Sequence, residues 1–227
     1  MKIEALTLRE LRMPLVTPFE TSFGKTENRR ILLVEVQADG ASGWGEVTCG
    51  ELPFYSPETP DTARAILAGV IAPMVLGKQI AHPRDLASLL RPIRGHAMAR
   101  AGVENAAWEL AAVQAGQPLW RFLGGVRQEI PCGVSIGIKP SLEAQLAAVE
   151  TELAAGYQRI KVKIKPGWDL EPLGAIRRRW PEIRLMGDAN SAYTLADAGH
   201  LAHFDAFKLM MLEQPLWHDD IYFHAQL

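Results

Sequence analysis

The first half of the chain places its strand-like runs before its helical ones. KIEALTLREL, ILLVEVQ and GWGEV read as strands, and a turn at Asp39 and Gly40 joins the last two. Two helical stretches follow. DTARAILAGVIAPMV opens on Asp61 as its capping residue, and the alanine-rich AMARAGVENAAWELAAVQAG stops at Gly116. Strands first and helices afterwards predict a segregated α+β domain over residues 1–125. Two polar stretches punctuated by Gly and Pro, TPFETSFGKTENR and CGELPFYSPETP, read as loops. They carry Phe19, Phe23, Phe54 and Tyr55, which makes them candidates for covering a small-molecule site.

From residue 130 the rhythm changes to alternation of strand and helix. IPCGVSIGI predicts a strand. SLEAQLAAVETELAAG predicts a helix capped by Ser141, with Leu142, Leu146, Val149 and Leu153 on one face and Gly156 at its end. YQRIKVKI then leads to a helix opening at Asp169, EIRLMGD to one opening at Thr194, and FKLMMLE to the last residues. Successive βα units predict a parallel sheet with right-handed crossovers over residues 126–227.

Within this half, RIKVKIKPGWD sets Lys161, Lys163 and Lys165 at every second position, with Ile160, Val162 and Ile164 between them. A strand sends the three ammonium groups to one face and the three β-branched residues to the other. A solvated basic face is one reading, since lysine is rarely buried without a partner. The spacing of polar residues at strand ends supports another: Lys163, Asp188 and Glu213 follow one another at intervals of 25 residues, one per βα unit. In a βα-barrel such positions converge on the face that carries catalytic groups. A single acid there could equally be a helix cap, but three in phase point to a shared site.

Asp188 and Glu213 offer hard oxygen ligands that suit magnesium better than zinc. Lys163, flanked by Lys161 and near a dication, is expected to have its charged form disfavoured and to reach the range of a general base.

Composition narrows the partners. The 227 residues are 48% hydrophobic and 22% charged, and 24 basic against 26 acidic residues give a net charge of -2 with no run of one sign. This predicts a globular protein of one or two domains that binds neither nucleic acid nor a membrane surface and takes a small substrate. The N-terminus lacks the apolar core of a signal peptide and no run of apolar residues could span a bilayer, which predicts a cytoplasmic protein. Cys49 and Cys132 have no metal-ligand spacing and read as reduced structural thiols. His96, His200, His203, His218 and His224 follow no ligand spacing either and read as surface or loop residues. GxGxxG, Walker and HExxH patterns are absent.

The KxK of KVKIKPGWD, the DxN of GDANSAYTLADA and the EQPL of MMLEQPLWHDD resemble the enolase superfamily, muconate-lactonising-enzyme subgroup. The likeness is strongest to o-succinylbenzoate synthases, which overlap with N-acylamino-acid (N-succinylamino-acid) racemases. TPFETSFGKT, GWGEV, RGHAMARAGVENAAWELAA and PLWRFLGG resemble the capping domain of the same family. The resemblance implies an α/β fold: an N-terminal α+β capping domain, 1–125, followed by the first four strands of a (β/α)7β TIM-like barrel, 126–227.

By the same resemblance Lys163 is an acid/base lysine, and Lys161 is its electrostatic neighbour and a substrate contact. Asp188 and Glu213 bind Mg2+, with Mn2+ or another divalent cation as alternatives, and Ser135 and Asn190 contact substrate. The implied chemistry is α-proton abstraction from a small-molecule carboxylate with ene-diolate stabilisation, a use of lysine and magnesium typical of these sites. It would serve dehydration of 2-succinyl-6-hydroxy-2,4-cyclohexadiene-1-carboxylate in menaquinone biosynthesis, or racemisation of N-acylamino acids, or dipeptide epimerisation, in a protein that is homo-oligomeric in complete form. Gly187 departs from the small or β-branched apolar residue usual before the Asp. The family's third carboxylate and second lysine, placed by the 25-residue interval, fall near positions 238 and 263, past Leu227. An inactive fragment, or a half-barrel that needs a partner, is therefore the expectation from another class.

Overall fold

A computed structural model describes residues 1–227. The chain forms two units: Met1–Pro14 with Asn28–Gln128, and Leu15–Glu27 with Glu129–Leu227.

In the first unit, β1 (Ala5–Glu20), β2 (Lys25–Ala38) and β3 (Ala41–Val47) form one sheet in that order. Strands β2 and β3 are antiparallel with Ala38 opposite Ala41. The two residues between them, Asp39 and Gly40, have φ of 51° and 75°. That is the left-handed pair required by a tight hairpin turn whose twist matches its strands. The sheet's buried Leu32, Val34 and Val36 share a core with Val103, Ala106 and Leu110 of α4 (Ala97–Gln114). The approach of α4 to β3 depends on glycine: a Cβ at Gly45 would overlap the Gly102 carbonyl oxygen, and one at Gly43 the Ala106 carbonyl oxygen.

Helix α1 (Pro60–Ile66) starts one step earlier than Asp61. Its cap is Thr59, whose hydroxyl accepts from Thr62 N while the Thr62 hydroxyl accepts from Thr59 N. Pro60 fits the first helical position because no backbone donor is needed there. Asp61 instead pairs with Arg30 at 2.6 Å. The chain continues through a π-turn, Leu67–Ile71, into α2 (Ala72–Val75), then α3 (Asp85–Leu90) and, beyond α4, α5 (Leu119–Phe122).

The second unit holds four parallel strands in sequence order, β4 (Gly133–Ile136), β5 (Arg159–Lys163), β6 (Arg184–Asp188) and β7 (Met211–Glu213). Between them lie α6 (Leu142–Ala154), capped by the Ser141 hydroxyl, and α7 (Leu170–Arg179), opened by Asp169. The helix expected from Thr194 is three short pieces: 3-10 turns at Leu195–Asp197 and Ala202–Phe207 around α8 (Ala198–Leu201). A capping box between Thr194 and Asp197 closes the first of them. Helix α9 (Ile221–His224) comes last. Ile160, Val162 and Ile164 are fully buried with Leu173, Ile176, Leu185 and Phe204, so one face of β5 is the core of this unit.

The stretch TPFETSFGKTENR is a hairpin rather than a loop. Strand β1 runs on to Glu20 and β2 starts at Lys25, and Thr21 closes the turn by donating through both N and Oγ1 to the Gly24 carbonyl. Thr17, Phe19, Thr21 and Thr26 are strand formers, a preference that the polarity of the stretch masked. Glu20 O accepts from Ile138 N at 3.0 Å, which fastens this hairpin to the segment leaving β4.

The glycine contact between α4 and β3 yields a test of the first unit. Gly45→Ala is expected to destabilise the protein by about 3 kcal/mol, because the clashing atom is backbone and cannot swing aside. Urea unfolding monitored by circular dichroism measures it.

Candidate functional site

Parallel pairing converts the 25-residue interval into a row. Lys163 lies opposite Asp188, and Asp188 opposite Glu213, across β5, β6 and β7. The row two residues earlier holds Ser135, Lys161, Met186 and Met211. Registered neighbours share a face of the sheet, so these two rows stand on the face opposite to Ile160, Val162 and Ile164.

The side chains meet. Lys163 Nζ donates to Asp188 Oδ2 at 2.6 Å and to Asn190 Oδ1 at 2.8 Å. Lys161 Nζ lies 3.1 Å from the same Asp188 oxygen and donates to Glu213 at 2.9 and 3.1 Å. The other Asp188 oxygen accepts from Asn190 N at 3.0 Å. Two lysines and two carboxylates thus form a chain of alternating charge. Lys163 and Asp188 are buried, with side chains 9% and 1% exposed, while a third of the Glu213 side chain faces solvent.

Burial works to raise the Asp188 carboxyl, but hydrogen bonds and Coulomb attraction from Lys163 and Lys161 outweigh it and hold the group below the ordinary aspartate range. Burial also pulls the Lys161 ammonium down, and the hydrogen bonds to Glu213 and Asp188 override it, leaving its pKa above that of a free lysine. The immediate neighbours of Lys163 are acceptors and not the cation of Lys161, whose charge is directed at Glu213 and Asp188.

Each candidate from the sequence has a place. Asn190 is held with φ 45° and is followed by Ser191 at φ 65°; its amide oxygen rests on Lys163 and its carbonyl accepts from Ser22 Oγ at 3.4 Å. Ser135 is exposed and stands beside Lys161. The hairpin adds three contributors: Phe19, which the sequence offers as a residue covering a small-molecule site, and Glu20 and Ser22, which went unread. The Phe19 ring centroid is 5.9 Å from Lys163 Nζ, Glu20 pairs with Lys165 at 3.1 Å, and Ser22 touches Asn190. The signal that could have found them was the even spacing of Thr17, Phe19 and Thr21, which marks a strand. His200 also differs from a plain surface residue, since its Nε2 lies 2.8 Å from the buried Asp169.

The donor set matches a hard divalent cation in type: two carboxylates on adjacent strands, with oxygen as the only ligand atom. No group of three or more His, Cys, Asp or Glu residues is placed to hold a metal, so Asp188 and Glu213 supply only part of an octahedral shell.

Residues 2–124 match the mandelate racemase / muconate lactonizing enzyme N-terminal domain, and residues 144–227 match the enolase C-terminal domain-like family. The chain belongs to the mandelate racemase / muconate lactonizing enzyme family of the enolase superfamily. Within it, the chain is 48% identical to an o-succinylbenzoate synthase of Geobacillus kaustophilus, over 99% of its own length and 60% of that protein. It is equally 48% identical to an N-succinylamino acid racemase of Thermus thermophilus, over 100% of its own length and 62% of that protein. A solved enolase-superfamily structure from Listeria innocua, 33% identical, superposes with a TM-score of 0.94 over 100% of this chain and 61% of that one. The chain therefore spans about three fifths of these relatives. Relatives of this family combine a capping domain with a barrel domain in an α/β fold. No helix is long and apolar enough to cross a membrane.

The two carboxylates should differ in what their loss does. Asp188→Ala leaves the buried Lys163 without its charge partner and is expected to destabilise the protein by about 3–5 kcal/mol. Glu213→Ala, at the exposed end of the row, should cost about 1 kcal/mol or less. Denaturant midpoints of the two variants give the comparison.

Proposed function

We propose that Lys163 moves a proton at the α-carbon of a small carboxylate substrate, and that this chain carries the site of an o-succinylbenzoate synthase. The observation behind the proposal is the buried Lys163 ammonium standing in one row with Asp188 and Glu213. For this step Lys163 must first give up a proton; as the neutral amine its Nζ takes the α-proton and becomes the ammonium, and the electron pair left behind moves toward the substrate carboxylate. In the synthase reaction the Lys163 ammonium gives its proton to the hydroxyl of the neighbouring carbon, which leaves as water; in a racemisation Lys163 keeps that proton, and a second acid, the role of the family's second lysine, delivers another to the opposite face.

Lys161, cationic and partly open to solvent, steadies the growing negative charge on the substrate oxygens. Asp188 and Glu213 would hold Mg2+, or Mn2+ in its stead. When bound, that ion supplies electrostatic stabilisation of the enolised carboxylate. Ser135, exposed beside Lys161, and Asn190, whose amide nitrogen is not used by Lys163, would contact substrate. Strands β4 to β7 would be the first four of a (β/α)7β barrel, behind a capping domain at 1–125.

N-succinylamino acid racemisation is the second reading. It is favoured by one observation: a relative with that name is as similar as the synthase. Both readings need the same proton abstraction, so a single experiment tests what they share. The protein is incubated in D2O with Mg2+ and either an N-succinylamino acid or the cyclohexadiene carboxylate, and product and α-deuterium are followed by NMR. Lys163→Ala should lower both dehydration and α-exchange by about 10² to 10⁴, the usual loss on removing a general base. Lys161→Ala should be damaging but less so. Turnover in Lys163→Ala at the rate of the unsubstituted protein would refute the assignment.

A further inference from the structure

Asp169 does more than open α7. Its side chain is buried, and both carboxylate oxygens are engaged: Oδ1 accepts from Leu170 N at 2.6 Å, while Oδ2 accepts from the Tyr193 hydroxyl at 2.7 Å and lies 2.8 Å from His200 Nε2. The first of these contacts stays within the start of α7. The other two come from a different part of the chain. Asp169 ends the segment leaving β5, the strand of Lys163; Tyr193 ends the segment leaving β6, the strand of Asp188; His200 lies on α8.

Tyr193 is 4% exposed, with its ring stacked on His200 at 6.1 Å and edge-on to Phe204 at 6.2 Å. Burial first, and then the bond to Asp169, push its phenol well above the ordinary tyrosine range, so it remains a donor. Its backbone N–H donates to Pro215 O, just beyond β7. Between β6 and Tyr193 lie Asn190 and Ser191, two non-glycine residues in the left-handed region, a conformation that persists only where surrounding structure imposes it.

We propose that Asp169 is a positioning residue: with Tyr193 and His200 it clamps the segments leaving β5 and β6 together, and so fixes Lys163 against Asp188 and Asn190. This rests on the reading of Lys163 and Asp188 as the reacting site. The hydrogen bonds of the clamp run among Asp169, Leu170, Tyr193, His200 and Pro215, and those of Lys163 to Asp188 and Asn190.

Hydrogen–deuterium exchange of the 227-residue chain tests the clamp without any substrate. Tyr193→Phe keeps the ring, the fold and the Asp169 helix cap, and removes one hydroxyl. It should speed exchange at residues 189–193 by about tenfold, the effect of one lost hydrogen bond, while β5 and β6 stay protected. His200→Ala should act in the same direction, and His200→Gln, which keeps a donor, should restore the protection.

In the α-deuterium assay Tyr193→Phe should lower kcat roughly tenfold and leave KM within about twofold, the signature of a displaced reacting group. Unchanged exchange at 189–193 in Tyr193→Phe would overturn the clamp and leave Asp169 a helix cap. So would a loss in KM alone. Absence of any α-exchange in the unsubstituted protein would count against the site reading, and the exchange pattern at 189–193 would still decide the clamp.

Discussion

A lysine ammonium on a sheet face needs an acceptor wherever water cannot reach it, and for Lys163 that acceptor is the carboxylate directly across the β5–β6 pair. Removing such a charge from water costs several kcal/mol unless a partner and further hydrogen bonds meet it. Asp188 supplies the charge at 2.6 Å and Asn190 the second acceptor. The strand register follows from this need. A slip of one residue between β5 and β6 would bring Gly187 or Ala189 opposite Lys163 and turn Asp188 toward Ile160 and Ile164 in the core, leaving two charges buried and unpaired.

The same alternation that fixes the charges makes the core. Each apolar residue of β5 is fully buried against α7 and its neighbours, and each lysine between them has a carboxylate partner: Lys161 with Glu213 and Asp188, Lys163 with Asp188, Lys165 with Glu20. A strand of this kind does not depend on β-propensity alone. Its two faces are specified by independent forces, apolar burial on one and ion pairing on the other, and both select one register. The hairpin at Leu15–Glu27 then lays Phe19 near Lys163 and Glu20 against Lys165, which limits water around the row.

Much of this was legible because periodicity survives folding. The interval from Lys163 to Asp188 to Glu213 was visible in the chain and became lateral pairing, since one βα unit advances one strand. The helix caps at Ser141 and Asp169, the turn at Asp39 and Gly40, and the two faces of β5 followed from residue type and spacing in the same way. What escaped depends on contacts between residues far apart. Nothing in the sequence around Glu20 announces Lys165, 145 residues away. Asp169 was readable as a cap, but its bonds to Tyr193 and His200 arise only when two βα segments lie side by side. Local competition misled as well. Thr59 takes the cap expected of Asp61 because Pro60 fits the first helical position, and Asp61 turns to Arg30.

The dependence of the row on Lys163 and Asp188 can be measured as a coupling free energy. A double-mutant cycle of Lys163→Met, Asp188→Leu and the combined variant, each unfolded in urea, separates the pair from its individual residues. The account predicts that each single variant is strongly destabilised and that the combined variant recovers a large part of the loss, with a coupling of about 3 kcal/mol. Single losses that simply add, with a coupling below about 0.5 kcal/mol, would contradict it. They would mean that the register of β5 on β6, and the placement of Lys163, are held by something other than this ion pair.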